Sequence, residues 1–135
     1  MKLSAAQIAK LAHDVGGWRG ADLVRAVKVA LAESGGSTTA VGVNKNGTTD
    51  RGLWQLNTGT VADDSIAFDP VQATRAAAAI WRKRGWRPWY GGRKPDAKLD
   101  AQAAAAVATL RGGAGTWLAV AMLALSMLEY SRKRG

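Results

Sequence analysis

The sequence predicts a small α+β domain, mostly helical with one β-hairpin, followed by a hydrophobic helical tail. Three observations carry that expectation. Apolar residues recur at helical spacing in segments that open on capping residues. Asn46-Gly47 stands between two short apolar runs, the strongest short hairpin signal. A chain of 135 residues has room for one core and an appendage.

Taken in order, Ser4 with Gln7 three residues on forms a capping box and opens a helix through about Leu11. Asp14 to Gly20 reads as a loop. Leu23, Val24, Val27, Ala30 and Leu31 then place one apolar face on a helix from Ala21 to Glu33, which Gly35-Gly36 ends. Val41–Asn44 and Leu53–Leu56 are the expected hairpin strands around the Lys45–Thr48 turn. Asp69-Pro70 supplies an N-cap and a proline at the first helical position, so an Ala-rich helix is expected from Val71 to about Lys83. Gly85 to Tyr90 forms an aromatic loop.

The composition shifts at Gly91-Gly92-Arg93-Lys94-Pro95, which reads as a hinge between residues 1–90 and a helical tail, 96–135. Asp96 caps a helix from Ala97 to Leu110. Thr116–Leu128 carries no charge. Counted from Gly112, the uncharged stretch is 17 residues, at the lower limit for a membrane span. Trp117 and Tyr130 flank it like interfacial anchors, and Arg132-Lys133-Arg134 follows. The tail is therefore expected to enter a membrane or to pack against other chains of an assembly. The N-terminus turns polar after Leu3 and lacks the apolar run of a secretory signal.

Composition narrows the chemistry. With 19 Lys+Arg against 10 Asp+Glu, the net charge of +9 points to an anionic partner: nucleic acid, a membrane surface or a bacterial cell wall. The absence of cysteine excludes a disulfide scaffold, a thiol nucleophile and Cys-based zinc sites. One histidine, His13, supplies neither a His-rich metal centre nor a good case for a Ser-His-Asp triad, and it reads as structural or exposed. No metal and no cofactor are expected. Arg82-Lys83-Arg84 with Arg87, Arg93 and Lys94 forms a basic run, either a solvated face or an attractor of anionic polymers, and no nucleic-acid motif accompanies it. Six of the nine aromatics are tryptophan, suited to core packing or to stacking on sugars. Trp54 reads as core, whereas Trp86 and Trp89, in a loop, divide between the two roles.

The chemistry-bearing segment runs from Ala32 to Asn57. Glu33 ends an apolar-faced helix, and Asp50 follows seventeen residues later at the start of the second hairpin strand. A helix end packed on a hairpin makes a cleft with one carboxyl on each wall. Glycoside cleavage uses such a pair: one carboxyl stays protonated to serve the leaving oxygen, and the other is ionised to attack or stabilise the sugar cation. Environment assigns the roles, because an apolar surrounding raises a carboxyl's pKa and hydrogen-bond donors keep its partner charged. Glu33 follows Ala30-Leu31-Ala32, and Asp50 has Thr48, Thr49, Asn44 and Asn57 as possible donors.

Glu33-Ser34, the Asn44-Lys45-Asn46-Gly47-Thr48-Thr49-Asp50 turn and Gly52-Leu53-Trp54-Gln55-Leu56-Asn57 together resemble the catalytic core of the lysozyme-like superfamily, which includes lysozymes and the lytic transglycosylase domains of bacteria and phages. Ala73 to Tyr90 is similar to phage lysozyme-like domains in which an Ala-rich helix ends in Gly-Trp-x-Pro-Trp. The resemblance implies Glu33 as general acid and Asp50 as second carboxylate. It further implies Asn44 and Asn57 as supports of that carboxylate and Gln55 as a lining of the glycan cleft, with Trp86 and Trp89 available for stacking. The implied substrate is the peptidoglycan glycan strand and the implied reaction hydrolysis of its β-1,4 bond between N-acetylmuramic acid and N-acetylglucosamine. A phage virion protein that opens the host wall is the implied setting. The transglycosylase branch usually lacks the second carboxylate, so non-hydrolytic cleavage stays open, as does a non-catalytic structural or wall-binding protein with the same fold.

Overall fold

The structure, a computed structural model, describes residues 1–111. Helix α1, Ala5–Asp14, opens on the expected capping box. The Ser4 hydroxyl accepts from the Gln7 amide at 3.2 Å, and the Gln7 carboxamide accepts from the Ser4 amide at 2.8 Å. It runs a turn past Leu11, buries Ile8, Leu11 and Ala12, and packs on α2, Gly20–Ser34. The buried residues of α2 are Leu23, Ala26, Val27, Lys28, Val29 and Ala30; of the face its periodicity marked, Leu23, Val27 and Ala30 are buried and Val24 and Leu31 half-buried. Gly35 ends it at φ +61°, the left-handed cap that favours glycine, and its N–H closes on the Leu31 carbonyl at 2.9 Å.

The β region departs from expectation. Strands β1, Val41–Val43, β2, Thr49–Arg51, and β3, Leu56–Asn57, form an antiparallel sheet in that order, with Gly42 opposite Asp50 and Asp50 opposite Asn57. The second strand therefore precedes Leu53, and Leu53–Gln55 form a turn instead of extending it. Gly52 is the reason. It sits at φ +79° and so close to the next segment that a Cβ there would overlap the Ala67 carbonyl oxygen. The chain must turn at that point, which sends Leu53 and Trp54 into the core and makes a third strand of Leu56–Asn57.

A single helical turn, α3 (Asp64–Ala67), leads into α4, Pro70–Arg84. As expected, Asp69 caps α4, accepting from the amides of Val71 and Gln72. A 3-10 turn at Gly91–Arg93 precedes α5, Ala97–Ala108, capped by Asp96 through the Leu99 amide, and a second 3-10 turn follows at Thr109–Arg111.

Helix α5 does not stand apart behind a hinge. It packs on α1 and α2, with Ala103 fully buried. Lys28 of α2, only 6% exposed, reaches across to the Asp100 carboxylate at 2.8 Å and the Lys94 carbonyl at 2.8 Å. Gly92 lies so close against Val29 that a side chain there would overlap it. Segment 91–95 is thus pinned to α2. Its Gly and Pro residues shape a packed turn, and the core of residues 1–90 continues through α5. The apolar segment Thr116–Leu128, with its flanking Trp117 and Tyr130, lies outside the described residues. Among those described, no helix is long and apolar enough to cross a membrane.

Candidate active site

Glu33 occupies the last turn of α2. The next residue fixes that helix end to the β region: the Ser34 hydroxyl lies 2.9 Å from the Ala30 carbonyl and 2.8 Å from that of Leu53, and accepts from the Gly36 amide. Opposite, the loop after α4 brings the backbone of Gly91 onto the Glu33 carboxyl. A Cβ at Gly91 would stand 3.2 Å from Oε1, so glycine leaves the carboxyl its place. Burial pushes the Glu33 pKa above the ordinary carboxyl value, and the nearby Asp50 charge adds to the rise. The hydrogen bond from the Gly91 backbone opposes both and does not cancel them. A carboxyl so placed holds its proton to higher pH, as a general acid must.

Asp50 is held differently. It is the central residue of β2, so its position follows from pairing on both sides. Asn44 donates to one carboxylate oxygen at 3.1 Å and Asn57 to the other at 2.9 Å. Each carboxamide spends its second N–H on the same atom, the Thr48 hydroxyl, at 3.1 and 3.0 Å. That hydroxyl donates in turn to the Asn46 carboxamide oxygen at 2.6 Å. Two acceptor positions and one donor are thereby all used. Both oxygens of Asp50 accept hydrogen bonds, the pattern that suits a carboxylate. Among the donors foreseen, Asn44 and Asn57 act directly. Thr48 acts through them, and no Thr49 side-chain bond to Asp50 is found among the described residues.

The two carboxyls face a common cleft of about 680 Å³. The sheet side contributes Asn44, Lys45, Asn46, Thr48, Asp50, Gln55, Leu56 and Asn57, and the helical side contributes Glu33, Ile80, Arg84, Pro88 and Trp89. Gln55 has φ +50°, the sole positive φ outside glycine among the described residues. Its carboxamide N–H groups donate to the carbonyls of Ala40 and Gly52, which holds the strained turn in place while the residue lines the cleft.

The two loop tryptophans part company. Trp89 lines the cleft but is only 2% exposed, and its indole N–H donates to the Trp54 carbonyl at 2.9 Å. Trp86 does not line the cleft. It stacks on Trp18 at 5.6 Å, touches Trp81 and Trp89, and donates to Asp22. With Trp54 these residues form one cluster of five indoles, which holds Trp86 half-buried against the core. His13 lies against Asp14, away from the cleft lining. Among the described residues no group of three or more His, Cys, Asp or Glu could hold a metal ion.

Sequence reasoning missed two contributors, the Thr48 hub and the Gly91 backbone. The first could have been sought once β2 was placed one turn earlier. The second follows only from the packing of the 91–95 segment on α2.

Comparison with known proteins bears on the family and the fold. Residues 9–91 match the family described as a lysozyme-like domain. The fold is shared with a lysozyme from Litopenaeus vannamei at a TM-score of 0.65 and 22% identity, over 78% of this chain and 97% of that one. A calcium-binding lysozyme from equine milk aligns at 0.56 and 24% identity, over 73% and 94% of the two chains. Lysozyme from Equus asinus aligns at 0.54 and 22%, over 76% and 98%. No curated protein sequence matches the chain. With well over half its length matched by that family, and the fold in agreement, the chain belongs to the lysozyme-like domain family.

Proposed function

We propose that this protein is a muramidase, hydrolysing the β-1,4 bond between N-acetylmuramic acid and N-acetylglucosamine in peptidoglycan. Family membership supports the coarser statement, a peptidoglycan-acting muramidase or transglycosylase. The observation that carries the finer one is the pair of carboxyls in one cleft with different partners: Glu33 half-buried with a raised pKa, Asp50 clamped by two carboxamides.

In this reading the reaction follows the division of labour known for lysozymes. Glu33 gives its proton to the glycosidic oxygen as the bond to the muramic acid carbon breaks. Asp50, held by Asn44 and Asn57, supports or captures the glycosyl cation. Glu33, now ionised, takes a proton from the water that completes hydrolysis. No cofactor takes part. Glu33→Gln keeps the side chain's shape and removes the proton. Purified peptidoglycan incubated with wild type should release soluble muropeptides, and with Glu33→Gln should release none. Equal release from both would remove Glu33 from the mechanism, and no release from wild type would leave a non-catalytic wall-binding protein.

A phage virion as the setting belongs to the same proposal. It is supported by the similarity of Ala73–Tyr90 to phage domains and by the uncharged stretch from Gly112 followed by a basic cluster. Detection of the chain in purified particles by mass spectrometry would test it.

A further inference from the structure

Two cations line the cleft alongside the two carboxyls. Lys45 projects from the tip of the β1–β2 hairpin, and Arg84 is the last residue of α4 on the facing side. Both are exposed, and among the described residues neither pairs with an acid. The remaining lining is uncharged apart from Glu33 and Asp50. The Asp50 carboxylate at the centre of the cleft repels an anionic ligand, and cations on the two walls offset that repulsion and attract the anion. A neutral polysaccharide has no need of them.

We infer that Lys45 and Arg84 are specificity-determining residues that select a glycan bearing carboxylates over a neutral one of the same backbone. The carboxylates concerned are those carried by lactyl ethers or by peptides attached to them. The inference rests on reading the cleft as a glycan site and adds which chemical feature of the glycan is recognised. Arg84 offers a planar fork suited to a carboxylate, and Lys45 a mobile point charge able to follow substituents along the strand.

Binding separates this inference from the proposed reaction. In the Glu33→Gln protein, which consumes no ligand, affinity is measured for soluble peptidoglycan fragments, for the same fragments with every carboxyl capped as a methyl amide, and for a neutral chitin oligosaccharide. Capping should weaken binding about tenfold, and Lys45→Gln or Arg84→Gln should each weaken binding of the uncapped fragments about fivefold, the scale of one well-placed ion pair. Neither substitution should change binding of the capped fragments or of chitin, and raised salt should erase the difference between fragments. Lys45→Arg should retain it, and Arg84→Lys, which keeps the charge and loses the fork, should retain part of it. Equal affinity for capped and uncapped fragments would overturn the inference, as would equal losses on all three ligands or binding to none. Muropeptide release by wild type is read separately. Selective binding without release would remove the muramidase reading and leave the carboxylate selection standing.

Discussion

Replacing Thr48 by valine keeps the side chain's shape and removes one oxygen atom, yet three hydrogen bonds end on that oxygen. Asn44 and Asn57 would each keep their bond to Asp50 and lose the second anchor that sets the plane of the carboxamide. A hydrogen bond contributes about 1 kcal/mol net, and these are part-buried or exposed, so water replaces some of the loss and about 1–2 kcal/mol remains. For a domain of this size that lowers Tm by roughly 5–10 °C. The functional effect is separate. A loosened pair of supports leaves Asp50 with more orientations, so kcat should fall about tenfold with KM nearly unchanged, as for other residues that orient a reacting group through a partner. Thermal unfolding and turnover of soluble peptidoglycan fragments measure the two effects, and Thr48→Ser, which restores the oxygen, should recover both. Wild-type Tm and kcat in Thr48→Val would refute the hub, and a serine variant as impaired as the valine one would show that the methyl group matters instead.

Other consequences follow from the same geometry. Because burial, aided by Asp50, raises the folded-state pKa of Glu33, its contribution to stability is intact below its unfolded pKa and lost as pH rises through the folded one. Glu33→Gln should therefore melt higher than wild type at neutral pH, and the gain should vanish below about pH 4. Trp86→Leu should lower Tm by several degrees through the indole cluster and leave KM for glycan within about twofold, since that residue does not line the cleft. Ala103→Asp puts a charge at a fully buried contact of α5 and should lower Tm by about 10 °C or prevent folding. An independent tail would tolerate that substitution.

How much of this was readable from the chain depends on how local each cause is. The helices α1, α2, α4 and α5 were legible because their caps and apolar stripes lie within the elements themselves: Ser4 with Gln7, Asp69 before Pro70, Asp96 before Ala97. The sheet was legible only in part. Asn46-Gly47 marks the turn, but the length of β2 is set by the contact of Gly52 with Ala67, fifteen residues away. Gly91–Pro95 misled for a related reason: a glycine that allows motion and a glycine that allows close approach to Val29 look the same in sequence. Lys28 reads as a solvent residue until Asp100 and the Lys94 carbonyl are brought to it. At the site, Glu33, Asp50, Asn44, Gln55 and Asn57 could all be named in advance and converge on one cleft, because their spacing repeats a known pattern. Trp86 and Trp89 could not be told apart, since the partner that buries each lies on a distant element: Trp18 for one, the Trp54 carbonyl for the other. Thr48 was a plausible donor to Asp50, and its actual role depends on register, which turns its hydroxyl toward two carboxamides.

Hydrolysis with Asp50 as a working partner of Glu33 is the central claim, and product mass in heavy-oxygen water tests it most directly. Peptidoglycan digested by wild type in that solvent should yield muropeptides ending in reducing muramic acid that carries the oxygen label, and Asp50→Asn should reduce their yield by orders of magnitude. Unlabelled 1,6-anhydro muropeptides, formed as fast by Asp50→Asn as by wild type, would contradict it: Glu33 would then act alone as acid and base, and the Asp50 clamp would serve only the hairpin.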